Sequence, residues 1–119
     1  MIKLKRAYED PEDDDGTRVL VDRLWPRGVS KERIRIDQRM SEIAPSNELR
    51  RWFNHDPDKW DEFHRRYLAE LDNPARQAEL DALAQIAHHG TLTLVYGARD
   101  TVRNQAVVLK ELIEVRING

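Results

Sequence analysis

The 119-residue chain contains no cysteine, which removes a disulfide framework, a thiolate zinc site, an iron–sulfur cluster and a cysteine nucleophile from the chemistry open to it. It also lacks any apolar run near the roughly 18–20 residues needed to cross a bilayer, and 35% of it is charged. Neither a membrane span nor a secretory signal is expected, and the composition reads as a cytoplasmic protein. Its five glycines form no G-x-G-x-x-G fingerprint, no Walker phosphate loop and no G-x-S-x-G elbow, and H-E-x-x-H is missing too. The common nucleotide and hydrolase mechanisms lack motif support, and no cofactor is expected. No metal site is expected, since no two histidines stand at ligand spacing on one face with a carboxylate to match.

What is present is a chain of the length of one compact domain, residues 1–119, with 22 acidic and 20 basic side chains. A net charge of −2 argues against a uniformly basic coat for nucleic acid, but the average hides an asymmetry. Residues 1–16 hold six acids against three bases. Residues 18–39 hold seven bases against three acids. Such runs are often solvated faces, so the basic stretch needs a structural context before it means anything.

Ile2 to Tyr8 alternates apolar residues with Lys3 and Lys5, the period-2 pattern of an outer strand. Residues 9–16 are acidic and rich in turn formers, and are expected as an exposed loop closed by Gly16. Val19, Leu20 and Val21 form a short continuous run that fits a strand covered on both faces, over Thr17 to Leu24. Trp25-Pro26-Arg27-Gly28 then reads as an ordered turn. Ser30 can cap a short helix to Arg35, and a short strand is expected over Arg39 to Ala44.

Beyond Pro45 the periodicity turns helical. Ser46 can cap a helix with Leu49, Trp52 and Phe53 on one face. Asp56-Pro57 and Asn73-Pro74 each read as an N-cap followed by proline at the first helical position. Gly90 stops the last of these helices, and Thr91 to Tyr96 alternates as a strand ended by Gly97. Asp100 or Thr101 can cap the final helix, whose broad apolar face suits packing on a sheet. Strands alternating with helices imply the α/β class: a small, mainly parallel sheet of about four strands covered by helices. A mostly helical fold with a small sheet is the alternative.

Ligands of open α/β sheets bind outside the carboxyl ends of the strands, so the strand exits carry the functional reading. The second strand leaves through Asp22, Arg23, Trp25 and Arg27, and the last through Tyr96 to Asp100. Arg23 and Arg27 offer donors suited to phosphate or carboxylate, with Trp25 and Tyr96 as pocket walls and Asn104 as a further polar contact. Asp22, His55 and Asp100 are the candidates for acid–base chemistry. Each has a structural reading as well: Asp22 as an ion-pair partner of a nearby arginine, Asp100 as a helix cap, Tyr96 as filler of a sheet face. His55 could equally pack on Trp60 as a hydrophobic staple, with Asp56 as the cap.

The ordered motifs Asp22-Arg23-Leu24-Trp25-Pro26-Arg27-Gly28, Ile43-Ala44-Pro45-Ser46-x-Glu48-Leu49-Arg50-x-Trp52-Phe53, His55-Asp56-Pro57-x-x-Trp60 and Asn104-Gln105-Ala106-Val107-Val108-Leu109-Lys110-Glu111 resemble the YeaO-like family of small bacterial domains of unknown function. The resemblance runs over nearly the whole chain. It implies a compact α/β domain and brings no established activity. Three positions depart from the family pattern: Arg39 stands where tryptophan is usual, Asn54 where glycine is common, and Arg103 where a histidine often precedes Asn-Gln-Ala. A histidine lost at position 103 would impair any catalysis it served, whereas an arginine there would strengthen an anion site. The leading expectation is a small anionic ligand, phosphorylated or nucleotide-like, at the strand-exit edge, with catalysis left open. The alternatives are a nucleic-acid-binding module using Arg18 to Arg39, and a partner-binding protein without catalysis.

Overall fold

In a computed structural model describing residues 1–119, the alternating segment at the start of the chain forms β1 (Ile2–Arg6), the apolar run forms β2 (Thr17–Leu20), and two short strands follow, β3 (Gln38–Arg39) and β4 (Leu92–Tyr96). Their order in the single sheet is β1-β4-β2-β3, and every pairing is parallel. The expected architecture and the outer position of β1 are both observed. Five helices cover the sheet: α1 (Lys31–Ile34), α2 (Asn47–Phe53), α3 (Trp60–Leu71), α4 (Pro74–His89) and α5 (Gln105–Asn118). No helix is long and apolar enough to cross a membrane.

Local signals place most helix starts. The side chains of Ser30, Ser46 and Asn73 accept from the backbone N–H groups of Arg33, Leu49 and Arg76, so each closes one of the orphan donors of a first turn. Asp56 caps a short 3-10 turn, Pro57–Lys59, that leads into α3. The start of α5 differs from expectation. Asn104 is its cap, accepting from the Val107 N–H, while Asp100 instead holds the preceding turn by accepting from the N–H groups of Val102 and Arg103. Both residue types suit a cap; Asn104 wins because its amide also donates to the Asp100 carbonyl, which a carboxylate could not do.

The pleat divides the sheet residues between two unequal cores. Val19, Val21, Leu92, Leu94 and Tyr96 face the main core with Leu49, Phe53, Phe63, Tyr67, Leu80, Leu83, Val108, Leu109 and Ile113 of the helices. Ala7, Leu20 and Val95 face a smaller one closed by Val29 and Ile34. β2 is thus covered on both faces, with Arg18 to Val21 all buried. The segment expected as a strand over Arg39 to Ala44 pairs only at Gln38–Arg39, with one further bond from the Met40 N–H to the Leu20 carbonyl. Past Met40 the chain turns inward to bury Ile43 and Ala44, fixed by the Tyr67 hydroxyl donating to the Ile43 carbonyl at 2.6 Å.

The acidic loop departs from the expected exposure at one residue. Asp15 is fully buried. Lys3, Lys5 and Arg18 project from one face of β1 and β2, and Asp15 lies on them at 3.2, 2.9 and 2.6 Å, while the rest of the acidic run stays at the surface. Gly16 follows with φ +63°, and a Cβ there would stand 2.2 Å from the Thr91 carbonyl oxygen, so only glycine fits between this loop and β4.

Candidate functional site

Because the strands are parallel, β1, β2 and β4 release their chains at one edge. The pairing persists to Ala7 and Val21, whose N–H groups donate to the Tyr96 and Val95 carbonyls, and then stops. A cavity of about 350 Å³ opens between these exits. Its volume is at the lower end for small-molecule sites. Phe53 of α2 and Phe63 of α3, stacked with ring centroids 4.3 Å apart, contribute its apolar lining. Leu24, Trp25 and Pro26 line it from the β2 exit and Tyr8 from the β1 exit, while Asn104 and Gln105 bring in the first residues of α5. Trp25 is held in place by its indole N–H, which donates to the Val29 carbonyl at 2.6 Å, and by the Arg39 guanidinium 5.8 Å from its ring.

Asp22 is the only acid on the cavity wall. Its Oδ2 accepts from the Gly97 N–H at 2.8 Å and its Oδ1 from the Gln105 side-chain amide. Burial pushes its carboxyl up to about 6, against the opposing pull of those two bonds and of Arg50 and Arg39. Asp22 makes no ion pair, so the structural reading of it as an arginine's partner does not describe its geometry.

Four arginines line the same space, and they differ in freedom. Arg23 donates to the carbonyls of Pro45 and Ala44 at 3.2 and 3.0 Å, which fixes the segment after β3 and leaves its guanidinium largely committed. Arg103 is tied to Asp100, whose carboxyl is held below its ordinary range by the amides of Val102 and Arg103 and then by the Arg103 side chain. The Arg50 guanidinium donates only to Asn47, at 3.3 Å. Arg27 is exposed and its side chain has no hydrogen-bond or ion-pair partner.

Of the remaining expected site residues, Asn104 and His55 reach the cavity and two do not. Tyr96 is 2% exposed and packs in the main core; burial raises its hydroxyl above the ordinary range, and it does not wall the cavity. Asp100 stands outside it, occupied by its turn. His55 lies at the mouth with a φ of +56°, directly after Asn54 at +47°, so the chain makes two consecutive left-handed steps between α2 and the next turn. The rings around Trp60 are Phe53, Phe63 and His64, so the staple expected for His55 is not what packs there. In the acidic loop, oxygens of Glu12, Asp14 and Asp15 gather within 4.8 Å of one another, but Lys3, Lys5 and Arg18 already sit on them.

Arg50, Gln105, Phe53 and Tyr8 were not singled out by residue chemistry. Arg50, Phe53 and Gln105 do stand inside two of the four sequence motifs, and that was the one signal able to find them. Arg18, counted in the basic stretch, is buried against Asp15, so that stretch does not form one exposed face.

The profile of a family described as the inactive DUF488-N3 subclade matches residues 1–119. Over 110 residues the chain is 43% identical to the uncharacterised protein YeaO of Escherichia coli K12, covering 92% of this chain and 94% of that one. It is 41% identical over 115 residues to an uncharacterised protein of Mycobacterium tuberculosis H37Rv, covering 97% and 95%. An uncharacterised protein of Mycobacterium bovis matches to the same extent. No solved structure matches.

Proposed function

From the premise that this chain belongs to the inactive DUF488-N3 subclade, with YeaO among its relatives, we propose that it binds a small anionic ligand, phosphorylated or nucleotide-like, in the strand-exit cavity without converting it. One observation carries the reading: four arginines face a cavity that holds a single acid, and two of them, Arg27 and Arg50, keep donors unspent. A guanidinium presents planar paired donors to phosphate or carboxylate oxygens, and it is worth more in a partly enclosed site than in open water. The start of α5 beside the cavity adds the positive end of a helix dipole.

Binding without turnover accounts for the remaining candidates. Asp100 lies outside the cavity, spent on its turn, Arg103 stands where the YeaO-like pattern often has histidine, and each Asp22 oxygen already accepts one hydrogen bond. The inward commitment of Arg18 and Arg23 favours one local site over a nucleic-acid surface spread along the basic stretch.

Thermal melts with inorganic phosphate, sulfate and a panel of nucleotides test this. A ligand at about 100 times its dissociation constant stabilises by roughly 2.7 kcal/mol, a shift of several degrees. Arg27→Ala and Arg50→Ala should each weaken the response about tenfold or more. A flat panel, or variants that respond like the wild type, refutes the site; release of a product followed by NMR refutes the absence of turnover.

A further inference from the structure

An arginine-lined cavity built only to hold an anion would hold it better with no carboxylate on its wall. Asp22 nevertheless stands there, kept at a fixed angle by the Gly97 N–H on one oxygen and the Gln105 amide on the other. A carboxylate has about four acceptor positions, so one remains open on each oxygen. Both donors already present are neutral, and the surrounding arginines disfavour a cationic group at this point. What matches two parallel acceptors among cations is a pair of neutral donors on adjacent atoms. Trp25 and Tyr8, beside it on the wall, offer flat apolar surface for a ring.

We propose that Asp22 is the specificity-determining acceptor of this site and that the ligand is a phosphorylated sugar or nucleoside whose vicinal diol bridges the two Asp22 oxygens while its phosphate rests on Arg27 and Arg50. This rests on the anion-binding reading and adds a second anchor to it. The phosphate supplies affinity and the diol supplies discrimination. An analogue that lacks one hydroxyl leaves an acceptor of the ionised carboxylate unpaired in a partly enclosed site, which is costlier than losing the same bond in water.

The experiment is titration calorimetry at about pH 7.5, where the carboxyl is mainly ionised, with AMP, 2′-deoxy-AMP and inorganic phosphate. The wild type should prefer AMP to the deoxy form by about 10- to 100-fold. Asp22→Asn should lose most of that preference yet bind inorganic phosphate at least as well as the wild type, because a negative charge has left the wall. Asp22→Ser, which also removes the paired acceptors, should behave the same way and guards against a folding defect in one variant. Equal binding of the two nucleotides by the wild type, or a preference kept by both variants, overturns the role of Asp22 while leaving the anion site standing. If neither phosphate nor nucleotide binds the wild type, the anion site falls and this inference falls with it.

Discussion

β2 carries an aspartate two residues beyond each of its ends, and the two sites are opposites. At the amino end Asp15 is fully buried and meets three cations, Lys3, Lys5 and Arg18. At the carboxyl end Asp22 is half-buried, meets two neutral donors and opens onto a cavity. Burial raises the proton affinity of both. At Asp15 the bonds from Lys5, the Glu12 amide, Lys3 and Arg18 overwhelm that effect and hold the carboxyl well below its usual range, whereas at Asp22 burial prevails and the carboxyl rises to about 6. Burial alone therefore does not separate an acid locked in ion pairs from one that faces a cavity. The difference lies in whether the charge is answered from within the protein.

Removing each acid tests that difference most directly. Asp15→Ala leaves three cations beside an empty centre and should cost about 3–5 kcal/mol in urea denaturation. Asp22→Asn should act in the opposite direction, stabilising by roughly 1–3 kcal/mol near pH 7.5, since the fold no longer shelters an unanswered charge. The pH profiles should diverge accordingly. The raised carboxyl of Asp22 favours the folded state when protonated, so its contribution is complete below about 4 and is lost as pH rises through about 6. The lowered carboxyl of Asp15 contributes above about 4 and loses that contribution as pH falls further. Wild type and Asp22→Asn compared by melting at pH 4, 5, 6 and 7 should show the variant flatter between 4 and 6; parallel curves would contradict the assignment.

Smaller effects sharpen the contrast. Gly97→Ala would set a Cβ 2.8 Å from Asp22 Oδ2 and strain the amide that orients it, for a cost of about 1 kcal/mol by chemical denaturation and a larger relative loss in ligand response. Arg27→Ala should change stability by less than about 0.5 kcal/mol, because the side chain is exposed and unpartnered, while still weakening anion binding. An Arg27 variant that unfolded easily would place that arginine with the structural set after all.

How much of this was readable in the chain follows from the range of each interaction. The strand exits were legible because an apolar run and an alternating one each stop at a residue that breaks the pattern, and the caps at Ser30, Ser46 and Asn73 were legible because cap and helix are neighbours. Asp15 was misread as solvated because its partners Lys3 and Lys5 reach it only once β1 has docked against β4, and no local charge pattern encodes that meeting. The cap of α5 was misplaced by one turn for a related reason: Asp100 and Asn104 are equivalent in type, and the choice depends on a carbonyl that needs a donor. At the site, the residues following β2 were visible, while Arg50, Gln105 and Phe53 come from helices whose approach is set by the core.

The strand order also fixes when this molecule can come into being. β1 and β2 are synthesised early and do not pair with each other; each pairs with β4, whose first residue is the ninety-second of the chain. Until that segment emerges, β1 has no strand partner and β2 has only the two-residue β3, and closing such long loops is the slow part of building a parallel sheet. β4 thus acts as a keystone in time as well as in space. A nascent chain stopped at Gly90 would hold helices and no sheet beyond the two-residue pairing of β2 with β3, and the cavity, whose edge is the parting of β2 from β4, would appear only with the final quarter of the polypeptide.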